Sequence, residues 1–157
     1  MQKITPFLWF DKDAKAAAEF YVSVFGEDSK IRNEQIMPPA PTGDRVEVMN
    51  ITLRGQDFTL MAAGPYFKFN ESVSFVIDCK DQEEVDYFWN ALTADGGQES
   101  MCGWLKDKYG MSWQVTPRRL IELTTSSDRE KAGRATAAML TMKKIDIAAI
   151  EAAYEGK

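Results

Sequence analysis

The chain has 157 residues, 45% of them hydrophobic, which suits one domain with a substantial core. Nineteen Lys and Arg against twenty-four Asp and Glu give a net charge of −5 without a basic cluster, which argues against nucleic acid as a partner. No apolar run is long enough for a membrane span, and no histidine occurs, which excludes Ser-His and Cys-His nucleophiles and His-rich metal sites.

The first half of the chain is predicted to form a strand, a helix and three further strands. The helix carries Phe20, Tyr21 and Val24 at core-facing spacing and ends at Gly26. Prolines in the segment 38–44 predict a loop that could border a pocket. The predicted strands are 4–10, 31–36, 46–53 and 57–62, and the predicted helix is 14–25.

The second half repeats this order. A strand at 73–79 precedes a helix that starts with the capping-box pattern Asp81 to Glu84 and ends near Ala94. The segment 101–117 then predicts a β-hairpin with its turn at 107–110.

Side chains in the second arm of this hairpin alternate between two faces. Met111, Trp113 and Val115 are predicted to face the core, which leaves Ser112 and Gln114, with Thr116, on a face that could line a pocket. Lys106 and Asp107 flank the turn and are predicted to be solvated.

Two constant offsets relate the halves. An offset of 68 pairs Asp13 with Asp81 and Phe7 with Phe75, and an offset of 55 pairs Gly55 with Gly110. The repeat predicts an α+β fold of two βαβββ modules within a single domain of residues 1–157. The modules are predicted at 1–66 and 67–117.

Residues 118–157 are predicted to form a helical tail. Ser127 to Glu130 is a second capping-box pattern, and Asp146 is a candidate cap for a last helix. The apolar stripe that contains Ala135 and Met139 is interpreted as a packing surface, so the tail is expected to act as a clasp or a dimer contact.

Two features of the sequence predict the cellular compartment, namely the cysteines and the first residues. Cys79 and Cys102 form no Cys-x-x-Cys motif and are interpreted as small buried side chains in a reducing compartment. The first residues lead directly into a strand-like pattern, without the charged and then apolar segment of a secretory signal. We therefore expect a cytoplasmic protein.

Several motifs are spread over nearly the whole chain. They are Ile4-Thr-Pro-Phe-Leu-Trp-Phe10, Glu19-Phe-Tyr21, Ser74-Phe75, Asp81-Gln-Glu-Glu-Val-Asp86 with Trp89, and Cys102-Gly-Trp-Leu-Lys-Asp107 with Tyr109-Gly110 and Ser112-Trp-Gln114. Together they resemble the PhnB-like branch of the glyoxalase/bleomycin-resistance (vicinal oxygen chelate) superfamily. The resemblance implies paired βαβββ modules whose curved sheets enclose a cavity, with helices on the outer faces, and often a homodimer.

The resemblance also implies where a metal would bind, since metalloenzymes of the superfamily use ligands on the first and last strand of each module. The matching residues here are Thr5, Thr59, Ser74 and Gln114. Neutral oxygens hold a divalent ion weakly, so we expect no metal and no other cofactor. Relatives often carry a demethylubiquinone methyltransferase description, but the sequence has no glycine-rich strand-to-helix turn for a nucleoside cofactor.

Two hypotheses about function remain. In the first, the protein binds a small molecule in an apolar cavity lined by Trp9, Ser74, Trp104, Ser112 and Gln114, and needs neither base nor metal. In the second, it is a lyase, isomerase or dioxygenase that uses a metal held by Gln114, with carboxylates from a loop or a second subunit. The metal content of the purified protein separates the two.

Overall fold

A computed structural model describes residues 3–39, 41, 43 and 45–157 of the protein. The chain divides into two compact units, 1–69 and 70–157. Each unit contains one four-stranded mixed sheet, and the predicted α+β pattern of two βαβββ modules is confirmed.

The first unit contains strands β1 to β4 and helix α1. In the sheet the strands have the order β1-β4-β3-β2, with β1 parallel to β4 and the other pairs antiparallel. Helix α1 buries Tyr21 and Val24 and ends at Gly26, as predicted, whereas Phe20 is only half-buried. The elements are β1 (Phe7–Phe10), α1 (Ala14–Phe25), β2 (Lys30–Met37), β3 (Val46–Leu53) and β4 (Gln56–Ala62).

The second unit repeats this topology and adds the tail. Its sheet has the order β5-β8-β7-β6, with β5 parallel to β8. The Asp81 carboxylate accepts a hydrogen bond from the Glu84 amide at 2.9 Å and caps α2, as the capping-box pattern predicts. The elements are β5 (Ser74–Cys79), α2 (Gln82–Thr93), a 3-10 turn (Ala94–Gly96), β6 (Gln98–Glu99), β7 (Trp104–Lys106) and β8 (Ser112–Pro117).

The register of the two parallel strand pairs corrects one detail of the predicted repeat. Phe7 lies opposite Thr59, and Val76 lies opposite Gln114, so the counterpart of Phe7 is Val76 and not Phe75. Phe7 and Val76 are also similarly exposed, at 58% and 61%. The strands are therefore offset by 69 and the helices by 68, because the connection from strand to helix is one residue longer in the first unit.

The tail forms three helices that pack within the second unit. They are α3 (Arg118–Thr124), α4 (Arg129–Met139) and α5 (Ile147–Glu155). Their shared core contains Leu120, Leu123, Ala135, Ile145 and Ile150. The Gln82 amide joins α2 to this tail, since its Nε2 donates to the Ile145 carbonyl at 3.0 Å and its Oε1 accepts from the Ile147 amide at 2.9 Å.

Two further sequence predictions concern loops and membrane spans. The loop predicted at 38–44 lies partly outside the described residues. Among the helices of the described chain, none has the length and apolar character needed to cross a bilayer.

Candidate functional site

The candidate site lies on the face of the second sheet that carries the polar side chains of β8. Leu105, Trp113 and Val115 point to the opposite, buried face, where α2 packs. Cross-strand register places Lys106 opposite Ser112 and Trp104 opposite Gln114, so these four side chains share one face. The alternation predicted from the sequence is confirmed.

A pocket of about 140 Å³ opens beside β7. On this measure a single water needs about 10–15 Å³. The pocket is therefore large enough for a small metabolite or one end of a longer one. Its lining includes Glu71, Gln98, Glu99, Trp104, Lys106 and Ser112.

The hydroxyl of Ser112 is the most unusual atom in this lining. Ser112 is only 1% exposed, and its Oγ has no hydrogen-bond partner among the residues that the structure describes. A buried hydroxyl without a partner is unfavourable, and such groups are rare in folded proteins.

Charged groups in the pocket are paired with neighbours. Lys106 Nζ forms an ion pair with Glu71 Oε1. This hydrogen bond lowers the pKa of the Glu71 carboxyl below its ordinary value. Glu99 accepts a hydrogen bond from Trp89 Nε1 at 2.9 Å, and Lys143 Nζ lies 3.9 Å from its other oxygen.

Gln114 and Ser74 contact each other directly on the same sheet face. Gln114 Nε2 donates to Ser74 Oγ at 2.9 Å, across the parallel pair of β8 and β5. Both side chains are half-buried. The Gln114 amide thus has a local structural partner, while the pair remains partly open to a ligand.

The prediction that Asp107 is solvated is wrong, because the residue is only 2% exposed. Its Oδ1 accepts from the amides of Tyr109 at 2.8 Å and Met111 at 3.1 Å, and its Oδ2 accepts from Trp113 Nε1 at 2.9 Å. These bonds fix the turn that joins Lys106 to Ser112. The spacing Asp107-x-x-Gly110 is a turn signal that points to such an anchor.

Trp9, the fifth predicted lining residue, belongs to the first unit. Its Nε1 donates to the Gly64 carbonyl at 2.9 Å, and its ring packs edge-on against Phe67 at a centroid distance of 5.1 Å. The side chain is thus fixed by its own unit. Of the five predicted residues, the structure brings Ser74 and Gln114 into contact, and Trp104 and Ser112 into one pocket.

The positions that match metal ligands carry neutral donors. In the first unit Thr59 Oγ1 donates to Asn50 Oδ1 at 2.8 Å, and Asn50 Nδ2 donates to Asn33 Oδ1 at 2.6 Å. In the second unit Gln114 and Ser74 bond to each other. Within the described ranges no group of three His, Cys, Asp or Glu side chains could hold a metal ion. These donors therefore fit a divalent ion poorly.

Comparison with known proteins gives one family and a set of related folds. The family described as 3-demethylubiquinone-9 3-methyltransferase matches residues 2–116. No protein of curated function matches the chain.

Three solved structures show the range of similarity. A PhnB protein of Bacillus cereus, a candidate 3-demethylubiquinone-9 3-methyltransferase, is 33% identical with a TM-score of 0.65, over 74% of this chain and 99% of that one. A Pseudomonas aeruginosa protein is 22% identical with a TM-score of 0.56, over 74% and 98% of the two chains. The fosfomycin resistance protein FosX of Listeria monocytogenes is 14% identical with a TM-score of 0.53, over 71% and 87%.

Proposed function

The chain belongs to the 3-demethylubiquinone-9 3-methyltransferase family within the glyoxalase/bleomycin-resistance superfamily, and we propose that it binds a small molecule in the pocket beside β7. The ligand contacts Trp104 and Ser112, with the Gln114 and Ser74 pair on the same sheet face. Binding requires no catalytic metal.

The buried hydroxyl of Ser112 carries this proposal. Ser112 lines the pocket, and its buried hydroxyl lacks a hydrogen-bond partner within the described structure. The neighbouring Trp104 ring adds apolar surface, so the pocket combines an apolar wall with a few polar groups, as ligand sites usually do.

The methyltransferase description of the family has no counterpart in the described units. Nucleoside cofactors commonly bind at a glycine-rich turn between a strand and a helix of a parallel sheet. Here the strand-to-helix connections are residues 11–13 and 80–81, which contain no glycine, and both sheets are mixed. We therefore do not assign methyl transfer to this chain.

The alternative is a metal-dependent lyase, isomerase or dioxygenase. Elemental analysis of protein purified without chelator separates the two proposals. We expect well under one metal ion per chain, because the matching donors are neutral and bonded to one another. About one ion per chain that is lost in Gln114→Ala would favour the enzyme.

A thermal-shift screen of small metabolites tests binding, with Ser112→Ala as the decisive variant. Removing a hydroxyl that has no partner should leave stability unchanged or raised, while it weakens every ligand that the wild type binds in this pocket.

Ser126→Ala is the matched control, because the Ser126 hydroxyl bonds to Tyr154 Oη at 2.8 Å, outside the pocket. It should lower the free energy of unfolding by about 1 kcal/mol and leave ligand binding unchanged. A screen without hits, or hits that Ser112→Ala leaves unaffected, would contradict the proposal.

A homodimer and a cytoplasmic location complete the proposal. Strand β2 is an edge of the first sheet, and all of its residues are exposed, including Ile36 and Met37. An exposed edge with apolar side chains favours association with a second copy. The free thiols of Cys79 and Cys102 are consistent with a reducing compartment. Light scattering that finds only monomer at micromolar concentration would contradict the dimer.

A further inference from the structure

We propose, building on the binding function above, that the ligand carries a single carboxylate, which replaces Glu71 at Lys106 Nζ and accepts a hydrogen bond from Ser112 Oγ. Glu71 then competes with the ligand carboxylate for Lys106 Nζ and pairs with it when no ligand is bound.

The first argument is the placement of the two donors. Lys106 and Ser112 are directly opposite each other on β7 and β8, so their side chains lie side by side on one face. Lysine supplies only donors, and the serine hydroxyl can donate to an anion. An ammonium and a hydroxyl on opposed residues of neighbouring strands form an anion position that a neutral ligand would use less well.

The second argument is the group that now occupies this position. The Glu71 carboxylate bonds to Lys106 at the rim of the pocket, but its own side chain is 63% exposed. An exposed ion pair contributes little to stability, so its exchange for a ligand carboxylate is inexpensive. The Glu71 carboxylate thus indicates that Lys106 pairs with a negatively charged group.

The second carboxylate of the lining does not favour a cationic ligand. Glu99 already accepts from the Trp89 indole and lies near the Lys143 ammonium. Glu99 is thus held by Trp89 and lies near Lys143, while Lys106 supplies a positive charge to the pocket lining.

Pocket size and the Trp104 wall limit the remainder of the molecule. A volume of about 140 Å³ accommodates a compact ligand. The half-buried Trp104 ring offers a flat apolar surface on which an aromatic or unsaturated group can stack. The ligand class is therefore a small monocarboxylate with an apolar or aromatic body.

Three ring-matched probes test the charge preference by isothermal titration calorimetry: benzoate, benzamide and benzylamine, which are anionic, neutral and cationic at pH 7. We expect benzoate to bind about tenfold more tightly than benzamide, and benzylamine to bind more weakly still. Benzamide or benzylamine binding as tightly as benzoate would overturn the carboxylate assignment and leave the binding function standing.

Two variants test the roles of the charged pair. Glu71→Gln removes the competitor and should tighten benzoate binding about two- to fivefold, in the range of an exposed ion pair. Lys106→Gln should abolish the preference for benzoate over benzamide. Glu130→Gln is the control, since it breaks another surface ion pair, with Arg134 at 3.0 Å on helix α4, and should leave benzoate binding unchanged.

Other results would overturn the role of Glu71, the carboxylate inference or the binding function itself. Weaker benzoate binding in Glu71→Gln would show that Glu71 supports the ligand, and would overturn its role as competitor. No benzoate binding to either wild type or Glu71→Gln would overturn the inference, while metabolites that shift the melting temperature of wild type but not of Ser112→Ala would still support the binding function. If no metabolite does so, the binding function itself fails.

Discussion

Replacement of Asp107 should strongly destabilise the β7–β8 hairpin. Asp107→Ala removes an acceptor that serves three donors. Two of these donors belong to Met111 and Trp113, which are buried. Each buried donor left without a partner costs about 1–3 kcal/mol, so the free energy of unfolding should fall by about 4 kcal/mol. Urea denaturation followed by tryptophan fluorescence measures this loss.

A matched substitution separates burial from the loss of an aspartate. Asp128 caps helix α4 by accepting from the Lys131 amide at 3.1 Å, and the bond is exposed. Asp128→Ala should therefore cost only about 1 kcal/mol. If the two variants lose the same free energy, the account of Asp107 as a buried anchor is wrong.

A double-mutant cycle assigns part of the loss to one bond. Trp113→Phe keeps an aromatic ring but removes the indole donor that Asp107 Oδ2 accepts from. Combined with Asp107→Ala, it should show a coupling energy of about 1 kcal/mol or more. Strict additivity would mean that this bond contributes nothing to stability.

Three further predictions follow from single contacts. Gln114→Ala should change ligand binding but reduce stability by only about 1 kcal/mol, measured by titration and urea denaturation. Asp86 is hydrogen-bonded to Lys144, which lowers the pKa of its carboxyl below 3.8. The stability from this pair is present above pH 3.8 and is lost as the pH falls through the lowered pKa, so Asp86→Asn should lose less stability in acid than wild type. Gly103→Ala and Gly110→Ala share a left-handed backbone, with φ of +82° and +86°, that costs about 1–2 kcal/mol. Only at Gly103 would the new Cβ meet a main-chain oxygen at 2.8 Å, so its loss should be larger by about 1 kcal/mol or more in the same denaturation experiment.

Most of the fold could be predicted because its signals are local. The apolar spacing and Gly26 define α1 from Ala14 to Phe25, and the glycine turns define both hairpins. The register of Phe7 could not be predicted, because it depends on the length of a connection between elements. One residue more in a loop leaves the helix pattern unchanged and shifts the strand alignment by one.

The candidate site was predicted in part, for a similar reason. Alternation along β8 places Ser112 and Gln114 on the pocket face without any tertiary information. Neither the missing partner of the Ser112 hydroxyl nor the burial of Asp107 follows from alternation, because both depend on what surrounds the side chain in space. The pairing of Lys106 with Glu71 likewise joins residues that are 35 positions apart.

The backbone of Gly103 links the tail to the sheet through two hydrogen bonds, one donated by its amide and one accepted by its carbonyl. Its amide donates to the Lys143 carbonyl at 2.8 Å, while its carbonyl accepts from the Val115 amide at 2.8 Å. The Gly103 amide proton is thus exposed to solvent when residues 142–147 leave the hairpin. The Val115 amide proton becomes exposed only when Gly103 separates from β8. Native-state hydrogen exchange at these two amides can therefore distinguish local opening of the tail from the larger unfolding of the hairpin.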